Sequence, residues 1–294
     1  MTVIQHDAWA RLWLAELERR TDRSPQDASL IRDRLARARE RTEVLHARAR
    51  DGSEAFAGMA EHRHPLTGQR EIVLSHLAAE RPSALRELLA KLPVGGQAAA
   101  LETAGVPGDE IAAIMRQASF EPHVLTLRHR TVPQAPLPKG PLDIHVARTA
   151  ELGFVYDCLA TALGRGLYDE STVTDLREWA RSKFELTGTS VCLVGTLDGR
   201  PVCHGLGVPR PDRYSGGKVL YVVDVFVIPE EHSRGFSRMV SAALLRRAAE
   251  RGHQVLESDL VIGPNSDKLL DGLRDAGWVA DRLRWRRAAT GMAR

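Results

Sequence analysis

Two tandem α/β domains of one architecture, each built on a mixed sheet, are predicted by three observations: matched hairpins, matched closing segments and a proline-rich spacer between the halves. The first hairpin is TEVLHARARDGSEAFAGMA (Thr42–Ala60), which reads as strand, Asp51-Gly52 turn, strand. TSVCLVGTLDGRPVCHGLG (Thr189–Gly207) reads the same way about Asp198-Gly199. An Asp-Gly pair supplies the positive backbone dihedrals of a tight hairpin turn. Val44 lies seven before Asp51 as Val191 lies seven before Asp198, and Gly58 and Gly205 lie seven after.

The closing segments agree as well. QAAALETA (Gln97–Ala104) and QVLESDL (Gln254–Leu260) are short apolar strands with a Leu-Glu pair. Each precedes a helix (Asp109 to Ala118, Asp267 to Ala276), an aromatic at equal spacing (Phe120, Trp278) and a closing strand (HVLTLRHR, DRLRWRR). Order, spacing and residue type agreeing at both ends indicate an internal duplication that makes two domains rather than a solenoid. The spacer Thr131–Pro141 carries Pro133, Pro136, Pro138 and Pro141, a density that continues neither a helix nor an inner strand. The expected boundaries are therefore 1–132, a spacer 133–141, and 142–294.

In the second half the pattern predicts a strand (Leu142–Val146), helices (Ala150–Leu163, Thr172–Leu186), the hairpin and a long strand (Lys218–Ile228). A helix (Ser237–Gly252), strand (Gln254–Asp259), helix (Ser266–Ala276) and terminal strand follow. Met239, Ala242, Leu245 and Ala249 share one face of the Ser237–Gly252 helix. The first half repeats the order, with helices near Asp7–Arg19 and Gln26–Glu40 ahead of its hairpin.

Composition narrows the function classes. With 43% apolar and 27% charged residues over 294 positions, the chain has the balance of a globular protein with room for two cores. No apolar run approaches a membrane span, and the N-terminus lacks the order of a signal peptide, so the expectation is a cytoplasmic protein without a membrane partner. Residues 1–135 carry 19 Lys/Arg against 18 Asp/Glu and the remainder 22 against 20. Neither half is a basic domain, which gives nucleic-acid binding little support. Cys158, Cys192 and Cys203 form no CxxC pair and no disulfide framework.

The most informative stretch is VLYVVDVFVIPEEHSRGFSRMVSAALLRRAAERG (Val219–Gly252). A β-rich run ends at Pro229, a polar loop with one glycine follows, and an amphipathic helix begins. The unpaired N–H groups and positive dipole end of such a helix can receive a pyrophosphate. Gly235 admits the backbone, Ser237 is small, and Arg234 and Arg238 add charge.

This segment resembles the acyl-CoA-binding segment of the GNAT (N-acetyltransferase) superfamily, in which a strand ending Val-x-Pro leads into Arg/Gln-x-x-Gly-x-Gly/Ala and a helix. Val227-Ile228-Pro229 matches the strand end and Gly235 the central glycine; His232 stands where arginine or glutamine is usual, and Ser237 where glycine or alanine is usual. Ala276-Gly277-Trp278 resembles the family's Gly-Phe ending. The tandem arrangement resembles two-domain members such as mycothiol synthase and some natural-product acyltransferases. The resemblance implies an N-acyltransferase that uses acetyl-CoA or another acyl-CoA as co-substrate, a small-molecule amine as acceptor, and no metal. It implies donor binding by Phe226, Val227, His232, Ser233, Arg234, Gly235, Phe236, Ser237 and Arg238, with the strand around Phe226–Ile228 pairing with the pantetheine arm and the Val227 N–H on the thioester carbonyl.

Transfer to an amine also needs a base and a proton for the thiolate. Asp224, predicted on one strand face with Phe226 and Ile228 while Val223, Val225 and Val227 take the other, reads either as that base or as a salt-bridged carboxylate. His204 reads as a base or as a hydrogen-bonded core histidine. Glu230 and Glu231 read as solvated surface. Many members of the family carry an acidic tyrosine where this chain has Leu273, which leaves Tyr168, Tyr214, Tyr221 or water. In the first half the equivalent turn is AAERPSALRELL (Ala78–Leu89), with no glycine and with Pro82 removing a donor, so that half reads as a fold that has lost the site. His62 and His64 share a strand face but have no third metal ligand at a recognisable spacing. Arg282, Arg284, Arg286 and Arg287 read as a solvated edge. Two alternatives stand beside the leading reading: a transferase with an aminoacyl-tRNA or carrier-bound donor, and a non-catalytic sensing or scaffold protein.

Overall fold

The computed structural model describes residues 3–20, 25–38, 43–63, 70–92, 98–131, 139–166, 176–184, 190–263 and 266–288. In chain order these form α1 (Val3–Arg20), α2 (Pro25–Ala38), β1 (Glu43–Arg48), β2 (Glu54–Arg63), β3 (Arg70–Ala79), α3 (Pro82–Ala90), β4 (Ala98–Ala104), α4 (Asp109–Gln117) and β5 (Glu121–Arg130). Then come β6 (Asp143–Val146), α5 (Leu152–Gly166), α6 (Leu176–Lys183), β7 (Val191–Leu197), β8 (Arg200–Pro211) and β9 (Lys218–Val227). The chain continues with α7 (Phe236–Glu250), β10 (Val255–Val261), α8 (Ser266–Asp275) and β11 (Val279–Arg287). The ends of the expected helix Thr172–Leu186 and residues 133–138 of the spacer lie outside the described residues. No described helix is long and apolar enough to cross a membrane.

Packing divides the chain into two compact units: Met1–Leu127 with Arg213–Gly216 and Leu260–Arg294, and Arg128–Asp212 with Gly217–Asp259. The first unit has the strand order β1-β2-β3-β4-β11-β5, the second β10-β9-β8-β7-β6. Compactness thus groups Leu260–Arg294 with the first half, whereas the sequence division carries it with the second. The reason lies in β4: all seven of its residues, Ala98–Ala104, are buried. The main-chain N–H and C=O groups of so buried a strand need partners on both edges; β3 pairs with one edge in parallel, and β11 with the other antiparallel (Arg282↔Ala104, Trp285↔Leu101). The arginines of β11 are therefore not a solvated edge. Arg282 is buried and bonds Asp281 at 3.0 Å, while Arg284 and Arg286 converge on the buried Glu71 at 3.2 and 3.6 Å.

Both predicted hairpins form, with different turns. In the second, Asp198 and Gly199 take φ of 51° and 77°, and Leu197 pairs directly with Arg200. In the first, Arg48 pairs with Glu54 across a longer loop in which Gly52 takes φ of 84°, the Ala49 N–H donates to Ser53 O and the Gly52 N–H to Ala49 O. Loop length sets register, so Val44 faces Gly58 but Val191 faces Gly207, and Gly205 lies across from Leu193. Equal sequence spacing does not become equal pairing.

The core of the first unit is aromatic. Trp9, Trp13 and Leu17 recur every four residues along α1 and bury one stripe with Leu14, against Ile31 and Leu35 of α2, Phe56, Ala78, Ala104 and Tyr214. The pairing of β2 with β3 slips between Phe56 and Gly58, and the residue accommodating the slip, His76, has φ of 54°. Its carbonyl accepts the Trp9 Nε1–H at 2.8 Å, and its ring lies 5.3 Å from Trp13 and 5.5 Å from Tyr214.

Burial among these rings, with Arg213 and Arg34 adding positive charge, pushes the His76 pKa from 6.5 down to about 3. Between those values the unfolded chain binds a proton that the folded chain does not, so stability rises with pH across the window and falls on acidification, by at most about 1.4 kcal/mol per pH unit. His76→Asn, which tolerates the left-handed backbone, should flatten that dependence. Urea denaturation at pH 7 and pH 4.5 checks it: equal loss of stability in both proteins would show that His76 is not the source.

Candidate functional site

β9 is held unequally on its two edges. β8 pairs antiparallel along it from Pro211↔Lys218 to Cys203↔Val227. β10 pairs in parallel at three positions only, Leu256↔Leu220, Glu257↔Tyr221 and Ser258↔Val222. The parallel register ends at Val222, where β8 pairing also slips, from Gly207↔Val222 to Leu206↔Asp224, leaving Val223 as the extra residue of a bulge. The bulge changes the phase of the strand. Val223 was expected beside Val225 and Val227; it packs instead with Val155, Leu159 and Phe154 of α5, while Val225, Val227 and Ile228 pack on the α7 side.

Main-chain direction follows from one bond. The Ile228 N–H donates to Val202 O at 2.9 Å, toward β8. Alternation along a strand then turns the N–H and C=O of Val227 and Val225 to the other edge, where β10 has ended its pairing. The Val227 carbonyl accepts the His232 Nε2–H at 2.9 Å, and the Val227 N–H faces the open edge.

Beyond β9, a single 3₁₀ turn (Pro229–Glu231) leads to Gly235, whose φ of 77° sets the entry to α7. Nothing lies within 4 Å of where a Gly235 Cβ would stand, so the position calls for glycine through its backbone angle and is open above. No side chain caps α7, which leaves its first N–H groups for an anion. His232, Ser233, Arg234, Gly235, Ser237 and Arg238 are exposed, whereas the Phe236 side chain is in the core and can offer a ligand only its main chain. α7 rests directly on β8: a Cβ on Gly205 would sit 2.7 Å from Val240 Cγ1.

The turn contains a residue that the sequence reading misplaced. Glu230 is exposed, but Glu231 is buried; its Oε2 accepts the Arg234 Nη1–H at 2.5 Å and its Oε1 the Arg200 Nη2–H at 3.1 Å. Arg234 also lies 4.8 Å from the centre of the Phe236 ring. Glu231 thus fixes one arginine beside the anion-binding turn and ties that turn to the β7–β8 hairpin. The spacing Glu231–Arg234 was the available signal.

Asp224 and His204 come together. His204 Nε2 lies 3.3 Å from Asp224 Oδ2; the histidine side chain is 0% exposed and the aspartate side chain 17%. Phe226 stacks near the imidazole at 6.3 Å, and Phe154 meets it edge-on at 6.4 Å. Asp224 has surface from which to meet a ligand, and His204 has none. Of the tyrosines, Tyr168 lies outside the described residues and Tyr214 is buried in the first unit, where enclosure raises its pKa. Tyr221 donates its hydroxyl to Asp259 Oδ2 at 3.0 Å, beneath the Arg210 guanidinium at 3.6 Å. Arg210 also bonds Glu257, a fully buried carboxylate that Arg128 approaches at 3.3 Å. All three cysteines are free and buried. Among the described residues no cluster of three His, Cys, Asp or Glu could hold a metal ion, and His64 lies outside them.

The first unit carries the same devices, closed by its own side chains. β3 pairs with β4 in parallel from Glu71↔Ala98 to Leu74↔Leu101 and no further, and its slip falls at His76 as that of β9 falls at Val223. There Trp9, Trp13 and Tyr214 pack with Ala78 at the end of β3 and Ala104 at the end of β4. At the start of α3, Pro82 occupies the first turn. The Asp51 carboxylate accepts the Ser83 hydroxyl at 2.9 Å, the Ser53 hydroxyl at 2.6 Å and the Ser53 N–H at 3.0 Å, with Arg81 at 3.6 Å. Those hydrogen bonds hold Asp51 down at about 2. Glu80 accepts the Glu54 N–H at 2.9 Å. An internal carboxylate sits at the turn that, in the second unit, is open.

Comparison with known proteins gives this geometry a family. The Acetyltransferase (GNAT) family model matches residues 157–265, which span Asp224, Gly235 and α7. A GCN5-related N-acetyltransferase from Sphaerobacter thermophilus shares the fold with a TM-score of 0.55 at 16% identity, over 99% of this chain and 96% of that one. The GCN5-related glucosamine N-acetyltransferase region of a fungal multi-domain GH3 β-N-acetylglucosaminidase aligns with a TM-score of 0.50 at 14% identity, over 96% of this chain and 36% of that one. No curated protein matches the sequence. Residues 157–265, with the parted strands β9 and β10 and the uncapped α7, are the part of the chain that matches the GNAT acetyltransferase family.

Proposed function

We propose that this chain transfers an acyl group from a CoA thioester to the amine of a small molecule, using the site in its second half. The observation that carries the reading is the adjacency of an open β9 edge, beyond Val222, and an uncapped α7 entered through Gly235. The pyrophosphate lies on the turn His232–Arg238, whose main-chain N–H groups and helix dipole favour negative charge. The pantetheine arm runs along the edge presented by Val225 and Val227, and the Val227 N–H polarises the thioester carbonyl.

Asp224 then takes the proton from the attacking amine. The new C–N bond forms as the C–S bond breaks, and the proton passes from Asp224 to the departing thiolate, so no other reagent is consumed. Small-molecule amines, among them biosynthetic intermediates, are the acceptors this reading favours. The first half supports the fold and binds no donor, since Asp51 and the Trp9–Trp13–Tyr214 cluster occupy the corresponding places.

Three outcomes are expected. Calorimetric titration with acetyl-CoA should give one site per chain; two sites of similar affinity would show that the first half is open. Gly235→Val places a β-branched residue at a φ of 77° and should weaken acetyl-CoA binding by an order of magnitude or more. Unchanged affinity would move the donor site elsewhere. Asp224→Asn should lower turnover on an amine panel by about a hundredfold with donor affinity nearly intact, and full activity would end its assignment as the base.

A further inference from the structure

We propose that His204 is a positioning residue for acyl transfer: from inside the core it holds the inner oxygen of Asp224, and so keeps the base in its charged form without touching the acceptor. The inference rests on Asp224 being the base.

Three observations carry it. The His204 side chain has no exposed surface, so it cannot meet a substrate. Neither ring nitrogen has a hydrogen-bond partner among the described residues, and Asp224 Oδ2 is equally buried and equally without one. These two orphaned groups face each other at 3.3 Å. Leaving a buried polar atom unpaired costs roughly 1–3 kcal/mol, so a purely structural site between Phe154 and Phe226 would favour a third phenylalanine. The contact is at ion-pair distance but lacks hydrogen-bond alignment; catalytic contacts often tighten only when substrate is bound. With Oδ2 turned inward, Oδ1 is the oxygen left to meet an amine.

Among the described residues, Asp224 is the one carboxylate at ion-pair distance from the imidazole. Burial, followed by the Asp224 and Asp157 carboxylates, pushes Cys158 on α5 up to about 12. Burial likewise raises Cys192 on β7 to about 12 and Cys203 on β8 to about 11. Asp157 is half-exposed and engaged by Arg177 at 2.8 Å. Whether the imidazole is neutral and donates its Nε2–H or is protonated and carries charge, the carboxylate is favoured over the carboxylic acid. The amine gives its proton to Oδ1, and Asp224 holds it there until the thiolate takes it up.

The test compares His204→Gln, His204→Phe and Asp224→Asn with the parent full-length chain. Thiol release from acetyl-CoA with a panel of small primary amines is followed from pH 5 to 9. His204→Phe should move the acid limb of kcat upward by about one pH unit and lower kcat at pH 7 by about tenfold, with KM for acetyl-CoA unchanged. His204→Gln, whose amide can donate to Oδ2, should recover most of both. A folded His204→Phe with the parent's acid limb, or Gln and Phe variants that behave alike, would overturn the proposal. If Asp224→Asn acetylates normally, the base assignment fails instead. Should no amine in the panel react, ¹⁵N NMR of the histidine rings in parent and Asp224→Asn decides: the His204 resonances, identified by their loss in His204→Gln, should change their titration, and an unchanged curve overturns the pairing.

Discussion

The parting of β9 from β10 is the constraint around which the second unit is organised. A strand that abandons one neighbour exposes main-chain donors and acceptors that cost free energy unless something else bonds them. β9 can do this because the rest of it is secured: β8 pairs along its other edge from Lys218 to Val227, and its side chains enter packed clusters on both faces. The bulge at Val223 falls one residue past the last parallel pair. It swings the following residues into a new phase, and this is why Asp224 turns toward His204 and α5 while Val225 and Val227 anchor the strand on α7. The strand can leave this edge open because pairing and packing secure it elsewhere.

The two halves show how a shared plan can be kept or closed. Each has a parallel pair that ends early, a slip in the adjoining antiparallel register and a helix starting just after the strand. In the second half the last of these is open because Gly235 takes a left-handed angle and no side chain caps the helix. In the first, the longer hairpin loop brings Asp51 to Ser83 and Arg81, supplying from within the chain the negative charge that an anion would bring. The cleft equivalent is filled by indole and phenol rings. A carboxylate fixed beside a helix start disfavours a second negative charge there, so the closure is electrostatic as well as steric.

Much of this was legible in the sequence, and the omissions have a common cause. Helices showed through their apolar spacing and hairpins through Asp-Gly, because both are set by residues close together in the chain. Gly235 and the strand end Val227-Ile228-Pro229 marked the turn into α7 for the same reason. What escaped depended on distant partners. Nothing local in DRLRWRR tells that β11 will lie against β4, and so the arginines facing Glu71 read as a solvated edge. Glu231 reads as surface until Arg200 arrives from the preceding hairpin. The phase change at Val223 arises from its pairing with β8 at Leu206 and Gly207, earlier in the chain, and no alternation pattern within β9 announces it. The equal spacing about Asp51 and Asp198 was real, yet turn geometry converted it into different registers.

In the proposed reaction, the direction of β9 orders the chemistry. Tyr221 comes first, bonded to Asp259, at the last stretch where β10 is still paired. Asp224 follows at the bulge, where negative charge can draw in an amine and take its proton. Val227 comes next, with its N–H on the open edge, and then Gly235 with the positive end of α7. The Asp224 carboxylate and the positive end of α7 lie along a single strand and its continuation, so on the proposed reading a thioester docked by its phosphates would place its carbonyl partway back toward Asp224. Glu231 fits this gradient despite its charge: by engaging Arg200 and Arg234 it is neutralised by the arginines it holds, and the turn keeps its preference for an anion. On that reading the fold itself, before any substrate-specific contact, distinguishes the end that takes the donor from the end that takes the acceptor.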